Sequence, residues 1–177
     1  MSKFPISIMS SMLVAVLAGC AGNRTVGERV DDATITAKIK SSLAIDPTTK
    51  ARQIAVDTHE GVVQLTGFVD SADERQVASR IARNTKGVRR VQDNLEVKTA
   101  DRSFGEAVSD EVLKTRVKAA LVADPATKAR EITVKVNNGN VQLGGFVDSS
   151  SMKSEATRVA QSVNGVRSVD NGLEVRP

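Results

Sequence analysis

One histidine, His59, and one cysteine, Cys20, are all that the chain offers for imidazole or thiol chemistry. A Ser/His/Asp or Cys/His catalytic arrangement needs a base such as imidazole. His59 falls at the tip of a predicted hairpin and is replaced by Asn137 in the internal repeat described below, so it reads as a solvated turn residue. A transition-metal centre needs three or four imidazole or thiolate ligands, more than are present. Carboxylates do recur in pairs, Asp46/Asp124, Asp70/Asp148 and Glu96/Glu174, the raw material of two-acid hydrolysis. The first two pairs fall where one element ends and the next begins, and turn bonding accounts for them. The third alternates with apolar residues on a strand, the pattern of a solvated face. Gly61, Gly67 and Gly87 lack the Lys-Ser/Thr that a phosphate loop requires and read as turn and close-approach positions. No catalytic residue, metal ion or other cofactor is therefore assigned, and a non-enzymatic role is expected.

Nucleic acid is excluded on similar grounds. The chain has four Phe and no Trp or Tyr, too few rings for base-stacking platforms. Its 25 Lys and Arg against 21 Asp and Glu leave a net charge of only +4, without basic runs. Phe68 and Phe146 occupy one repeated position and read as core or interdomain anchors.

Cys20 has a specific context. Lys3 precedes an apolar stretch from about Ile6 to Ala18, shorter than the roughly 20 residues that span a bilayer, which makes residues 1–19 a signal peptide by shape. Leu17-Ala18-Gly19-Cys20 resembles the bacterial lipobox. That resemblance implies cleavage before Cys20, a diacylglycerol thioether on its sulfur and acylation of the new amine. With Ala21 rather than Asp behind the cysteine, it also implies transport to the outer membrane. Residues 20–30 then form a lipidated tether.

The elements that must position everything else are written twice. A shift of 78 residues superimposes 32–98 on 110–176 without a gap, with about 30 of 67 positions identical. Ile35, Ile39 and Leu43, matched by Leu113, Val117 and Leu121, recur every four residues and predict a helix with one buried stripe. Asp32 and Asp110 are suitable N-caps, and Pro47 and Pro125 prevent continuation. Alternation at Ile54/Val56 and Val63/Leu65, around His59-Glu60-Gly61, predicts a β-hairpin. Ser71-Ala72-Asp73-Glu74 is a capping box for a second helix, and Val91 to Val97 form a last strand parallel to the preceding one. The fold class is thus α+β: two domains, 31–98 and 109–177, joined by 99–108. Each runs α-β-β-α-β, with a three-stranded mixed sheet covered on one face by two helices. A unit of this size buries only about 60% of its unfolded surface, so the copies are expected to pack together.

The strand motif GVVQLTGFVDS at Gly61–Ser71, its repeat GNVQLGGFVDS at Gly139–Ser149, and the closing GVRRVQDNLEV at Gly87–Val97 resemble the BON domain, named for bacterial osmotically inducible and nodulation-associated proteins. Behind a lipobox, the doubled unit resembles the dual BON-domain lipoproteins of the outer membrane. The resemblance implies a periplasm-facing, acyl-anchored protein that binds anionic phospholipid and supports envelope integrity under stress. In those lipoproteins the first helix of the second domain contacts lipid, which carries the role to Val112, Lys114, Arg116 and Lys118. Here Val112 stands where an interfacial helix would benefit from an aromatic residue. A second basic group, Arg83, Lys86, Arg89 and Arg90, surrounds the end of the other helix in the first copy only. The alternative reading is a periplasmic osmotic-stress chaperone or interaction module that docks on envelope proteins through an exposed strand or Phe-bearing patch.

Overall fold

A computed structural model describes residues 26–98, 109–127 and 131–176, with no account of the side chains of 26–30 and 52. The signal peptide 1–19, Cys20, the first part of the tether and the linker 99–108 lie outside the described residues. The first domain contains α1 (Val26–Ile45), β1 (Ile54–His59), β2 (Val62–Val69), α2 (Ala72–Arg83) and β3 (Arg90–Val97). The second contains α3 (Asp110–Ala123), β4 (Ile132–Asn137), β5 (Asn140–Val147), α4 (Ser150–Gln161), β6 (Ser168–Asn171) and β7 (Glu174–Val175). In each sheet the middle strand pairs antiparallel with its hairpin partner and parallel with the strand that follows the crossover helix. This is the expected α-β-β-α-β order. The last strand of the second copy is interrupted at Gly172, which divides it into β6 and β7.

The stripes predicted from period are the cores. Ile35, Ile39 and Leu43 pack with Val63, Leu65, Val69, Ala78, Ala82 and Leu95, and their second-copy equivalents form the other cluster. The repeated Asp-Pro segments end the first helices. Asp46 Oδ1 accepts from Thr48 N at 2.9 Å, and Asp124 Oδ1 from Ala126 N at 2.9 Å. The buried hydroxyls of Thr49 and Thr127 donate to the Leu43 and Leu121 carbonyls, partners that the helix termini otherwise lack.

Two capping assignments need correction. Asp32 lies inside α1, which begins at Val26, within the segment assigned to the tether, and Asp110 is the first residue of α3 after the cap residue Ser109. Both carboxylates reach the hairpin turns instead. Asp32 accepts from Glu60 N and Gly61 N at 2.7 and 2.9 Å, and Asp110 from Asn138 N and Gly139 N at 2.7 and 3.0 Å. Those turns need the help, because Glu60 and Asn138 both hold φ of 50°, a conformation disfavoured for non-glycine residues. In the predicted capping box Ser71 Oγ does accept from Glu74 N at 3.1 Å. Glu74, however, turns away from Ser71 and accepts from Lys50 N at 2.6 Å and Asp70 N at 2.9 Å, tying the loop before β1 to the start of α2.

The sheet faces turned away from the helices are not solvated, since they pack against one another. On β2 the outward residues Gln64, Thr66 and Phe68 are all buried, as is Gln142 on β5. The glutamines act reciprocally. Gln64 Oε1 accepts from Gly145 N and its Nε2 donates to the Gly172 carbonyl, while Gln142 Oε1 accepts from Gly67 N at 2.7 Å and its Nε2 donates to the Asn94 carbonyl. Residues 145 and 172 are the repeat equivalents of 67 and 94, so the contact obeys a pseudo-two-fold axis. The layers run helix, sheet, sheet, helix. Thr66 Oγ1 is buried there with no hydrogen-bond partner. Thr66→Val, which keeps the shape and removes the unpaired hydroxyl, is expected to stabilise the chain by about 1 kcal/mol, read as a rise in thermal midpoint.

Candidate functional site

At 100° per residue, the buried stripe Leu113, Val117 and Leu121 fixes how α3 presents its other side chains. The opposite crest carries Val112, Thr115, Ala119 and Val122, with Val112 45% and Val122 64% exposed and the Thr115 hydroxyl donating to the Glu111 carbonyl. Arg116 and Lys118, both exposed, flank the crest on its two sides. Lys114 belongs elsewhere. It turns toward the domain seam, where its Nζ meets Glu111 Oε1 at 2.9 Å. There it lines a cleft of about 270 Å³ with Phe68, Lys98, Lys135 and Asn137. The structure therefore brings together three of the four residues inferred for lipid contact and separates the fourth.

The first domain supplies an internal comparison. Lys38 and Lys40 stand on α1 where Arg116 and Lys118 stand on α3, but its crest is Thr34, Ala37, Ser41 and Ala44 in place of Val112, Thr115, Ala119 and Val122, without an exposed valine. Of the two helices, α3 combines an exposed apolar ridge with flanking cations, the arrangement of an interfacial helix. Among the described side chains of α1 the exposed large apolar residue is Ile45, at the helix end.

The second basic group does not form one surface. Lys86 and Arg89 join Lys38, Asp31, Asp32 and Glu60 around a cleft of about 590 Å³ with mixed charge. Arg90 faces the second domain, 3.6 Å from Glu174 Oε2, and Arg83 lies on a separate surface with Arg80 and Arg75.

His59 is the other correction. It is 7% exposed and rests against Phe146 of the second domain, with ring centroids 5.1 Å apart at a tilt of 55°. The hairpin tip is the two-residue Glu60-Gly61 turn, one step further along, so His59 ends β1 on the seam face. Phe68 and Phe146 are interdomain anchors, which settles one of the two roles left open for them. The repeated carboxylates divide as follows. Asp46 and Asp124 serve turns, Asp70 pairs with Lys50 and Lys98, and Asp148 pairs with Arg176. The two lysines hold the Asp70 carboxyl down to about 2. Glu96 and Glu174 lie at the seam. Burial, and then the Asp170 carboxylate of the other domain, raise the Glu96 carboxyl above its ordinary value. At the related position Glu174 Oε1 accepts from Gln92 Nε2 at 2.6 Å.

Sequence reasoning missed two half-buried ionisable groups at the seam, Asp57 and Lys135. Burial pushes the Asp57 carboxyl up even though Thr133 Oγ1 donates to it at 3.0 Å. Lys135, the repeat equivalent of Asp57, is lowered by burial and then by the charge of Lys114. The signal available was the exchange of sign at one repeated position. Among the described residues no helix is long and apolar enough to cross a membrane, and no group of three or more His, Cys, Asp or Glu is placed to hold a metal ion.

Comparison with known proteins agrees with this doubled architecture. The BON domain profile matches residues 31–99 and again residues 109–177. The chain is 37% identical over 152 residues to the osmotically-inducible protein Y of Escherichia coli, covering 85% of this chain and 76% of that protein. It is 31% identical over 147 residues to the outer membrane lipoprotein DolP of Haemophilus influenzae, covering 82% and 75% respectively.

Proposed function

Since the chain belongs to the BON-domain family, with one domain in each half, we propose that it is a non-enzymatic envelope protein, anchored in the outer membrane through acylated Cys20 and facing the periplasm. Its second domain binds anionic phospholipid through α3 and in that way supports membrane integrity under stress. The observation that carries this reading is the α3 crest, Val112, Ala119 and Val122 around Thr115, set between Arg116 and Lys118. Relatedness to an outer membrane lipoprotein and the Leu-Ala-Gly-Cys sequence support the anchor. Each acyl CH₂ contributes about 0.8 kcal/mol, so the lipid chains hold the protein while α3 makes reversible contacts. The alternative, a chaperone or docking module working through an exposed strand or a Phe-bearing patch, is left with the strand alone. Phe68 is buried and Phe146 packs on His59, both in the seam.

A basic residue at an anionic surface contributes about 1 kcal/mol. In a Cys20→Ser form, Arg116→Glu with Lys118→Glu is therefore expected to weaken cosedimentation with phosphatidylglycerol vesicles at least roughly thirty-fold. Lys38→Glu with Lys40→Glu on α1 should change it little. Equal loss from both pairs would show non-specific attraction, and no loss from the α3 pair would remove that helix from the site.

A further inference from the structure

The seam contains two kinds of contact, and they carry different information. The glutamine bonds are the same in both directions. Gln64 and Gln142 each reach the backbone at the positions equivalent to 67 and 94 of the other domain. A face of either type offers those partners, so these bonds alone would hold two first domains, or two second domains, as well as they hold the observed pair.

Thr66 and Asn94, beside the pseudo-two-fold axis, behave otherwise, because each meets its own repeat equivalent. Thr66 fills the space left by Gly144, where an added Cβ would lie 2.8 and 2.9 Å from the Thr66 Cγ2 and Cβ atoms. Asn94 fills the space left by Gly172, where an added Cβ would lie 3.1 Å from Asn94 Cγ. Asp57, half-buried on this face, accepts from Thr133 of the other domain at 3.0 Å and lies within electrostatic reach of Lys135, its own repeat equivalent. Two first-domain faces would set Thr66 against Thr66, Asn94 against Asn94 and Asp57 near Asp57, overpacking the centre and bringing like charges together. Two second-domain faces would leave voids at both glycines and oppose Lys135 to Lys135.

We propose that each sheet face is a recognition surface that accepts only the opposite type, its own partner domain or that of a second copy of this chain, and rejects its own type. The glutamines supply attraction, while the side chains at positions 57, 66 and 94 and their equivalents supply the discrimination. Where many chains are held side by side on one surface, this rule excludes like-with-like contacts between them.

Three full-chain variants in the Cys20→Ser form test it. The first, Lys135→Asp/Gly144→Thr/Gly172→Asn, gives both faces the first type. The second, Asp57→Lys/Thr66→Gly/Asn94→Gly, gives both faces the second type. The third combines all six changes and so exchanges the two types within one chain. By light scattering and small-angle X-ray scattering, the first two are expected to be monomers with a larger radius of gyration than the parent. Mixed, they should form a 1:1 complex of twice the mass. The six-fold variant should be as compact as the parent. Self-association of either three-fold variant, retention of the parent's compactness by both, or failure of the six-fold variant to close would overturn the proposal. If a three-fold variant fails to fold, closure of the six-fold variant still decides the question.

Discussion

Replacing Gln64 or Gln142 by leucine is expected to destabilise the chain by about 2–4 kcal/mol in each case, because each amide satisfies a buried backbone donor and a backbone acceptor of the other domain. Leucine fits the volume and leaves those partners without a bond, which distinguishes this change from a simple loss of packing. The double variant should lose less than the sum of the two, since either change alone already loosens the shared contact. Urea unfolding followed on the full chain gives both numbers. The scattering radius should grow in the double variant while far-UV circular dichroism stays near that of the parent, for the helices and their cores lie on the other side of each sheet. An unchanged midpoint in both single variants would mean that the seam is held by shape alone.

The second large effect is expected at Gly67. Its φ of +148° is a conformation that side-chain-bearing residues rarely adopt, and an added Cβ would overlap the Gln53 carbonyl oxygen. Backbone strain of this kind amounts to roughly 1–3 kcal/mol and overpacking against a fixed neighbour to roughly as much again. Gly67→Ala should therefore lower stability by about 3–5 kcal/mol and weaken the Gln142 bond to the residue 67 amide at the same time. Gly145→Ala, with φ of +115° and the Glu131 carbonyl as the obstacle, should behave alike. Gly61→Ala is the control. There an added Cβ would lie 3.0 Å from both the Arg89 side chain and the Gly87 carbonyl oxygen, close but without overlap, and a loss of about 1–2 kcal/mol is expected. Thermal unfolding of the three variants should rank Gly67 and Gly145 well below Gly61.

Helix and strand periods were legible because apolar spacing reports burial directly, and the duplication allowed every assignment to be read twice. Ile39 and Val117 are fully buried where their stripes required it. The polar residues of β2 and β5 were another matter. Gln64 and Thr66 alternate with Val63 and Leu65 as they would on a solvated face, and alternation cannot distinguish water from a second polar sheet. The same ambiguity misplaced His59, whose ring covers Phe146 rather than meeting solvent. Asp32 and Asp110 looked like caps because a carboxylate ahead of an apolar stripe usually is one. Their true partners, the amides at 60–61 and 138–139, are distant in sequence and become neighbours only when the hairpin folds onto the helix. For the α3 site, residue type identified the cations, but the split between Lys114 and the Arg116/Lys118 pair follows from helical phase against a stripe whose burial had first to be established.

Because the sheets meet back to back, the helices of the two domains occupy opposite outer layers. A flat bilayer can touch only one of those layers at a time. With α3 lying on it, α1 is held away from the lipid by two sheets and a helix layer, roughly 30 Å at about 10 Å per layer. The mixed-charge cleft around Lys38, Lys86 and Arg89 then opens toward the aqueous compartment. In the proposed pose the molecule would be a post with a lipid-facing foot and a water-facing head, so that changes at α3 would be felt at the lipid and changes at α1 in the water, although the two helices are copies of one another.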